Sequence, residues 1–248
     1  AADSTSGLVD SSSDASSVGD SSDGGESSSG GAPELPDDPL PKFEGEPLPD
    51  APVGEWIWVD FPESRCRDGS STGIGVRRGA SDNLAFFFEG GGACFNGFTC
   101  LANDPDYNGD DFSWWKDWDG HAGIFNETRD DNPVRDWSFI YVPYCSGDVH
   151  GGDNAGVEVE DVNGVQVYNG YNNVEQFLGR IVPTFADAPH VLVTGVSAGG
   201  FGAGFNYHRI ARSFPGKVTL LDDSGPPMRD EYLAPCLQAT WRAVWGLD

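Results

Sequence analysis

Positive charge is scarce in this 248-residue chain: 14 Lys and Arg stand against 40 Asp and Glu, a formal net charge of −26. That balance excludes a nucleic-acid binder, which needs a basic face to displace counterions from phosphates. Long apolar runs are missing too. Nothing approaches the ~18–20 residues that span a bilayer, so no transmembrane helix is expected. No C-x-x-C pair occurs, and the four histidines are scattered, so no zinc-type ligand set is expected. Methionine occurs once, at Met228, and not at position 1, which predicts a processed product or a fragment. Internal repeats are lacking, which excludes a solenoid or propeller.

What is present falls into two parts. Residues 1–30 hold twelve Ser among Asp and Gly, and residues 33–52 hold seven of the 17 prolines. Residues 1–50 carry twelve acidic groups and one Lys, too polar and self-repelling to bury a core against their conformational entropy. A disordered acidic tail is expected over 1–52, a flexible linker followed by a stiffer proline-rich spacer. It would serve as a stalk or membrane tether, or as a solvated tail with no partner.

From residue 53 the pattern is globular. Trp56–Val59, Leu84–Phe88 and Ser138–Val142 read as strands, the latter two continuous enough to be buried on both faces. Residues 157–168 alternate around Asn163-Gly164, a hairpin signal. Val174, Phe177, Leu178 and Ile181 line one face of a helix over 172–181. Strand His190–Thr194, helix Ala198–Phe214 and strand Lys217–Leu221 follow. Strands alternating with helices predict an α/β fold, a mostly parallel sheet with helices on both faces.

The chemistry concentrates at the end of one strand. Val191–Thr194 runs into Gly195-Val-Ser197-Ala-Gly199, and helical sequence follows. A serine at a tight strand-to-helix turn has its Oγ pushed outward, and close approach of strand and helix demands glycine two residues either side. The helix also turns its positive N-terminus toward developing negative charge. Against this stands an ordinary Gly-rich β–α turn. A second strand ends in Glu89-Gly90-Gly91-Gly92-Ala93-Cys94. Consecutive glycines let backbone N–H groups reach an oxyanion, and Gly91, Gly92 and Ala198 are the candidate donors. A P-loop is excluded, because no Lys-Ser/Thr follows.

These segments, with Tyr144-Cys-Ser-Gly-Asp148-Val149 and Leu221-Asp-Asp223-Ser-Gly225, resemble the pectinacetylesterase family, which includes plant pectin acetylesterases and Notum-like carboxylesterases. The resemblance runs from about Trp56 to Asp248. It implies an α/β-hydrolase-like fold and a serine esterase of the Ser-His-Asp type, with Ser197 as nucleophile and the oxyanion donors named above. It also implies disulfides Cys94–Cys100 and Cys66–Cys145, with Cys236 left over. Five reduced cysteines are the alternative.

The triad is incomplete on this reading. The fold's order is Ser, then an acid, then His. The only histidine after Ser197 is His208, ~16 Å along the same helix and out of reach. The other three precede the nucleophile. The resemblance places the acid and base beyond residue 248, so 53–248 would be the N-terminal part of an esterase domain, inactive alone. Asp222 and Asp223 read as a strand-end turn. Asp104-Pro-Asp106-Tyr-Asn108-Gly109-Asp110 copies half a calcium loop, but Trp115 stands where the bidentate Glu belongs, so an acidic surface loop is expected. Trp114, Trp115 and Trp118 read as one helix face, packed in the core rather than free as a sugar platform.

The expected function is a secreted, cell-surface or lipid-anchored, monomeric serine carboxylesterase that removes an acyl group, acetyl first among candidates, from a polysaccharide. It needs no cofactor and no metal. The alternatives are a non-catalytic hydrolase shell that binds carbohydrate or another ligand, and a lipid-ester hydrolase with a deep acyl pocket. A domain at −15 repels a polyuronate, which disfavours pectin itself.

Overall fold

The computed structural model describes residues 43–225 and 228–247. The Ser-rich linker and the first part of the proline-rich spacer lie outside the described residues. By its internal contacts the chain divides at residue 39, and the unit from residue 40 onward holds all that follows.

Among the described residues, eight strands and five α-helices follow one another in the order β1 (Trp56–Phe61), β2 (Thr72–Arg77), β3 (Leu84–Phe88), α1 (Gly97–Cys100), α2 (Gly109–Trp118), β4 (Ser138–Val142), β5 (Asn154–Glu158), β6 (Val165–Tyr168), α3 (Gly170–Thr184), β7 (His190–Val196), α4 (Ala198–Ser213), β8 (Lys217–Asp223) and α5 (Pro235–Trp245). Six strands form one sheet, ordered β1-β2-β4-β3-β7-β8. β4, β3, β7 and β8 run parallel, while β1 and β2 join antiparallel at one edge. The mostly parallel α/β fold read from the sequence is therefore observed. Among the described residues no helix is long and apolar enough to cross a membrane.

β3 shows why. Its side chains alternate between two apolar layers. Phe86 and Phe88 meet Val174, Phe177, Leu178 and Ile181 of α3 and Ala203 and Ile210 of α4. Ala85 and Phe87 face Phe112 and Trp115 of α2 and Phe125. A strand buried on both faces needs an unbroken apolar run, and Leu-Ala-Phe-Phe-Phe supplies one.

Two elements appear where none was expected, and two expectations are corrected. β2 falls on Thr-Gly-Ile-Gly-Val-Arg, a segment to which the sequence reading assigns no element. Its glycines are sites of close approach: a Cβ on Gly73 would lie 2.2 Å from the Val59 carbonyl oxygen, and one on Gly75 2.3 Å from the Phe112 ring. α5 was also missed. The β5–β6 hairpin exists, but Glu158 pairs with Val165, so Asn163-Gly164 ends a longer loop over 159–164. That loop lets Val159 turn inward beside Tyr168 and Trp245. Finally, the three tryptophans of α2 do not share a face. Trp115 is buried, whereas Trp114 and Trp118 are 64% and 70% exposed and tilt against each other at 6.2 Å.

Residues 43–52, assigned to the spacer by composition, lie along α3. Gly45 N–H donates to the Gly179 carbonyl, Leu48 is buried, and its N–H donates to Thr184 Oγ1.

Candidate active site

Register places two strand ends side by side. β3 and β7 pair from Leu84–Val191 to Phe88–Gly195, so the glycines after Phe88 emerge next to the residue after Val196. Ligands of open parallel sheets collect at such carboxyl ends.

Ser197 occupies the turn between β7 and α4 with φ 56° and ψ −120°. A non-glycine residue there is strained, and the surroundings over-determine it. Its N–H donates to the Asp223 carbonyl (3.0 Å), and its own carbonyl accepts from Gly200 (2.9 Å) and Phe201 (3.2 Å). The flanking glycines are sterically compelled. A Cβ on Gly195 would lie 2.2 Å from the Gly199 carbonyl oxygen, and one on Gly199 1.9 Å from that of Phe88. Asp222 and Asp223 serve this turn: Asp222 Oδ1 accepts from Gly225 N–H (3.0 Å), and the Asp223 carbonyl holds Ser197. The Ser197 residue itself is exposed.

The glycine loop presses on Ser197. A Cβ on Gly90 would fall 2.4 Å from the Val196 carbonyl oxygen and 3.2 Å from Ser197 Cβ. Gly91 and Gly92 are exposed, and Gly92 takes φ +80°. Among the described residues the N–H groups of Gly91, Gly92 and Ala198 donate to no protein acceptor. The loop's carbonyls, by contrast, are engaged. His150 Nε2 stands 2.8 Å from the Glu89 carbonyl oxygen, and Tyr144 Oη donates to that of Gly92 (2.9 Å).

The Tyr144–Val149 motif, to which the resemblance gives only the Cys145 disulfide, together with His150 is thus the bracket for this loop. Tyr144 N–H donates to Glu89 Oε2 (2.9 Å), Tyr144 Oη accepts from Val149 N–H (2.8 Å), and Cys94 N–H donates to the Gly147 carbonyl (2.7 Å). Asp148, buried, accepts from Ser146 Oγ, His150 N–H and Gly170 N–H, tying the bracket to the start of α3. Burial raises its carboxyl above the usual range, and those bonds oppose the rise. Burial also pushes the Glu89 carboxyl up to about 7, against hydrogen bonds from Tyr141 and Tyr144 that lower it. The His150 imidazole is pushed down to about 4 by burial. His150 is therefore neutral and presents Nε2–H to the Glu89 carbonyl. Glu89, Tyr144 and His150 were missed as site residues. Their contacts depend on Val149 and His150 adopting φ 51° and 59°, for which the sequence carries no signal.

No histidine among the described residues hydrogen-bonds Ser197 Oγ. His150 is turned to Glu89, His190 Nε2 to Thr219 Oγ1 (2.9 Å), His208 Nε2 is buried without a partner, and His121 is exposed.

Both disulfides join the expected partners: Cys94–Cys100 (Cα–Cα 4.2 Å) closes the loop after the glycines, and Cys66–Cys145 (5.0 Å) ties the bracket to the segment after β1. Cys236 is free and exposed. α5 docks on the same loop, with Trp245 Nε1 donating to the Cys94 carbonyl (2.8 Å). The half calcium loop caps α2, through Asn108 Oδ1 accepting from Asp110 N–H (2.8 Å). A largely apolar cavity of about 560 Å³ opens between α4, β8 and α5, lined by Val149, Phe201, Leu220, Met228, Leu233 and Trp241 among others.

Comparison with known proteins agrees with this architecture. The pectinacetylesterase family matches residues 59–245. Palmitoleoyl-protein carboxylesterase NOTUM of Schmidtea mediterranea is 31% identical over 173 residues, covering 64% of this chain and 31% of the relative. Palmitoleoyl-protein carboxylesterase notum2 of Xenopus laevis is 30% identical over 151 residues, covering 59% and 30%. The chain thus spans about a third of the length of these curated relatives. Crystal structures of the Wnt deacylase Notum from Drosophila share the fold, at TM-scores of 0.57 and 0.54 and identities of 21% and 19%, covering 76% and 77% of this chain and 60% of theirs.

Proposed function

Because this chain belongs to the pectinacetylesterase family, we propose that it carries the nucleophile and oxyanion donors of a secreted serine carboxylesterase acting on acylated polysaccharide. The observation that carries this reading is Ser197, held at φ 56° in the β7–α4 turn against Gly90 of the glycine loop, with the N–H groups of Gly91, Gly92 and Ala198 left without a protein acceptor among the described residues. Ser197 Oγ attacks the ester carbonyl carbon and passes its proton to a general base. The tetrahedral oxyanion accepts from Gly91, Gly92 and Ala198 N–H, at the positive end of α4. Collapse expels the sugar alcohol, which takes up the proton. Water then hydrolyses the acyl-enzyme, releases the carboxylic acid and restores Ser197. The acidic surface favours a polysaccharide of low charge, with acetyl as the acyl group. Two disulfides support an oxidising, extracellular setting.

A second reading, hydrolysis of a longer lipid ester, is favoured by the apolar cavity beside Phe201 and by the names of the two curated relatives. One experiment tests both. The intact protein should hydrolyse p-nitrophenyl acetate, and Ser197→Ala should lower kcat by at least about 10³-fold. Wild-type turnover by Ser197→Ala would overturn the assignment. A preference for p-nitrophenyl decanoate over acetate would favour the lipid ester.

A further inference from the structure

The oxyanion loop is built of glycine, and that creates a difficulty. With no Cβ at Gly91 or Gly92, the peptide between them can turn over at little steric cost. Only one of its two orientations offers the Gly92 N–H to substrate. Something must choose.

We propose that Asn103 and Arg67 are positioning residues that fix the Gly91–Gly92 peptide in its donor-competent orientation; this rests on the esterase reading of the loop. Asn103 is buried, and its Nδ2 donates to the Gly91 carbonyl at 3.1 Å. No peptide bond among the described residues is cis. In a planar trans peptide the N–H points opposite to the C=O, so holding the Gly91 carbonyl toward Asn103 turns the Gly92 N–H away from it. That N–H is one of those with no protein acceptor.

Arg67 in turn decides which way the Asn103 amide faces. Its Nε donates to Asn103 Oδ1 (3.0 Å) and its Nη2 to the Asn103 carbonyl (2.7 Å). A guanidinium has donors only, so the Asn103 oxygen must face Arg67 and the nitrogen must face Gly91. Arg67 is itself buried, and Nη1 donates to Gln166 Oε1 (2.5 Å). Among the described residues no carboxylate forms a salt bridge with it. Burying a charge against neutral acceptors is costly, and orienting Asn103 is a use that matches the cost. The frame is stiff: Arg67 follows Cys66 of the Cys66–Cys145 disulfide, and its N–H donates to the Cys145 carbonyl (2.9 Å). A Cβ on Gly147 would lie 2.8 Å from Asn103 Oδ1 and 3.0 Å from Arg67 Cδ, so glycine at 147 is what leaves these two side chains their place.

The test is Asn103→Asp in the intact protein. The replacement is isosteric and can ion-pair with Arg67. Its carboxylate cannot donate to the Gly91 carbonyl and attracts an N–H instead, so the peptide should reverse. The expected result for p-nitrophenyl acetate is a fall in kcat of about 10²-fold, the loss seen when one oxyanion donor is removed, with KM within about threefold of wild type. Affinity for phenylboronic acid, which forms a tetrahedral adduct on serine, should fall in step with kcat. Unchanged kcat and phenylboronic acid affinity would overturn the proposal. So would kcat, KM and thermal midpoint all shifting together, which marks a merely structural role. Should Asn103→Asp fail to fold, Arg67→Lys keeps the charge but loses the fork, and the same split of kcat from KM is expected at about tenfold. Should Ser197→Ala retain full activity, the esterase reading falls separately. The crystal structure of Asn103→Asp then decides: an unturned Gly91 carbonyl overturns the positioning role.

Discussion

Glu89 and His150 bury two titratable groups around one loop, and their effects on stability oppose each other. His150 has a folded value near 4, below its ordinary 6.5. Its contribution is fully present above pH 6.5 and is lost as pH falls toward 4. Glu89 has a folded value near 7, above its ordinary 4.5. Its contribution is fully present below pH 4.5 and is lost as pH rises through 7. Each is worth on the order of 3 kcal/mol, and between pH 4.5 and 6.5 the two slopes cancel. Glu89→Gln keeps the main-chain bond to His150 and removes one slope. Its stability relative to wild type should therefore rise by about 3 kcal/mol from pH 4.5 to 7, read from urea midpoints at several pH values. A difference that stays flat over that range would refute the buried, protonated Glu89. At this scale the turn that holds Ser197 and its flanking glycines was legible, since close approach of strand and helix demands glycine on either side of the turn residue. The bracket around them was not. Its bonds run from Tyr144, His150 and Asn103 to main-chain atoms, which no residue pattern encodes.

Within α4, two glycines make opposite demands. Gly199 touches the Phe88 carbonyl, and a Cβ there would stand 1.9 Å from its oxygen. Gly204, on the same helix, would meet nothing within 4 Å. Gly199→Ala should force β3 and α4 apart, cost at least about 3 kcal/mol, and remove activity. Gly204→Ala should stabilise by about 0.5–1 kcal/mol through helix propensity. Thermal midpoints of the two variants moving the same way would contradict this account of the elbow. Elements with a continuous apolar run or a clean helical stripe, such as β3, β4 and α3, could be read from sequence. β2 could not, because its glycines answer to Trp58 and Phe112, which are distant in sequence. Nor could α2's faces be assigned from the spacing of three tryptophans. Trp115 is claimed by Tyr141, stacked at 3.8 Å, and this leaves its neighbours in solvent.

For the molecule as a whole, composition and alternation were enough for a mostly parallel α/β sheet, but not for its strand order. That order has β3 and β4 exchanging places and an antiparallel β1–β2 pair at the edge. At the opposite edge, among the described residues, β8 pairs with β7 alone, and Leu221 on it is 55% exposed. Unpaired strand edges bearing leucine add to one another unless something keeps them apart. Here the keeper is electrical. A chain of net charge −26 repels its copies over a distance set by ionic strength, about 10 Å at 0.1 M salt and about 3 Å at 1 M. Colloidal stability should therefore be borrowed from dilute buffer. Light scattering should register growing self-association as sodium chloride is raised, and Leu221→Lys should suppress it, although that variant lowers the net repulsion. Scattering unmoved by salt would mean that the edge is already covered.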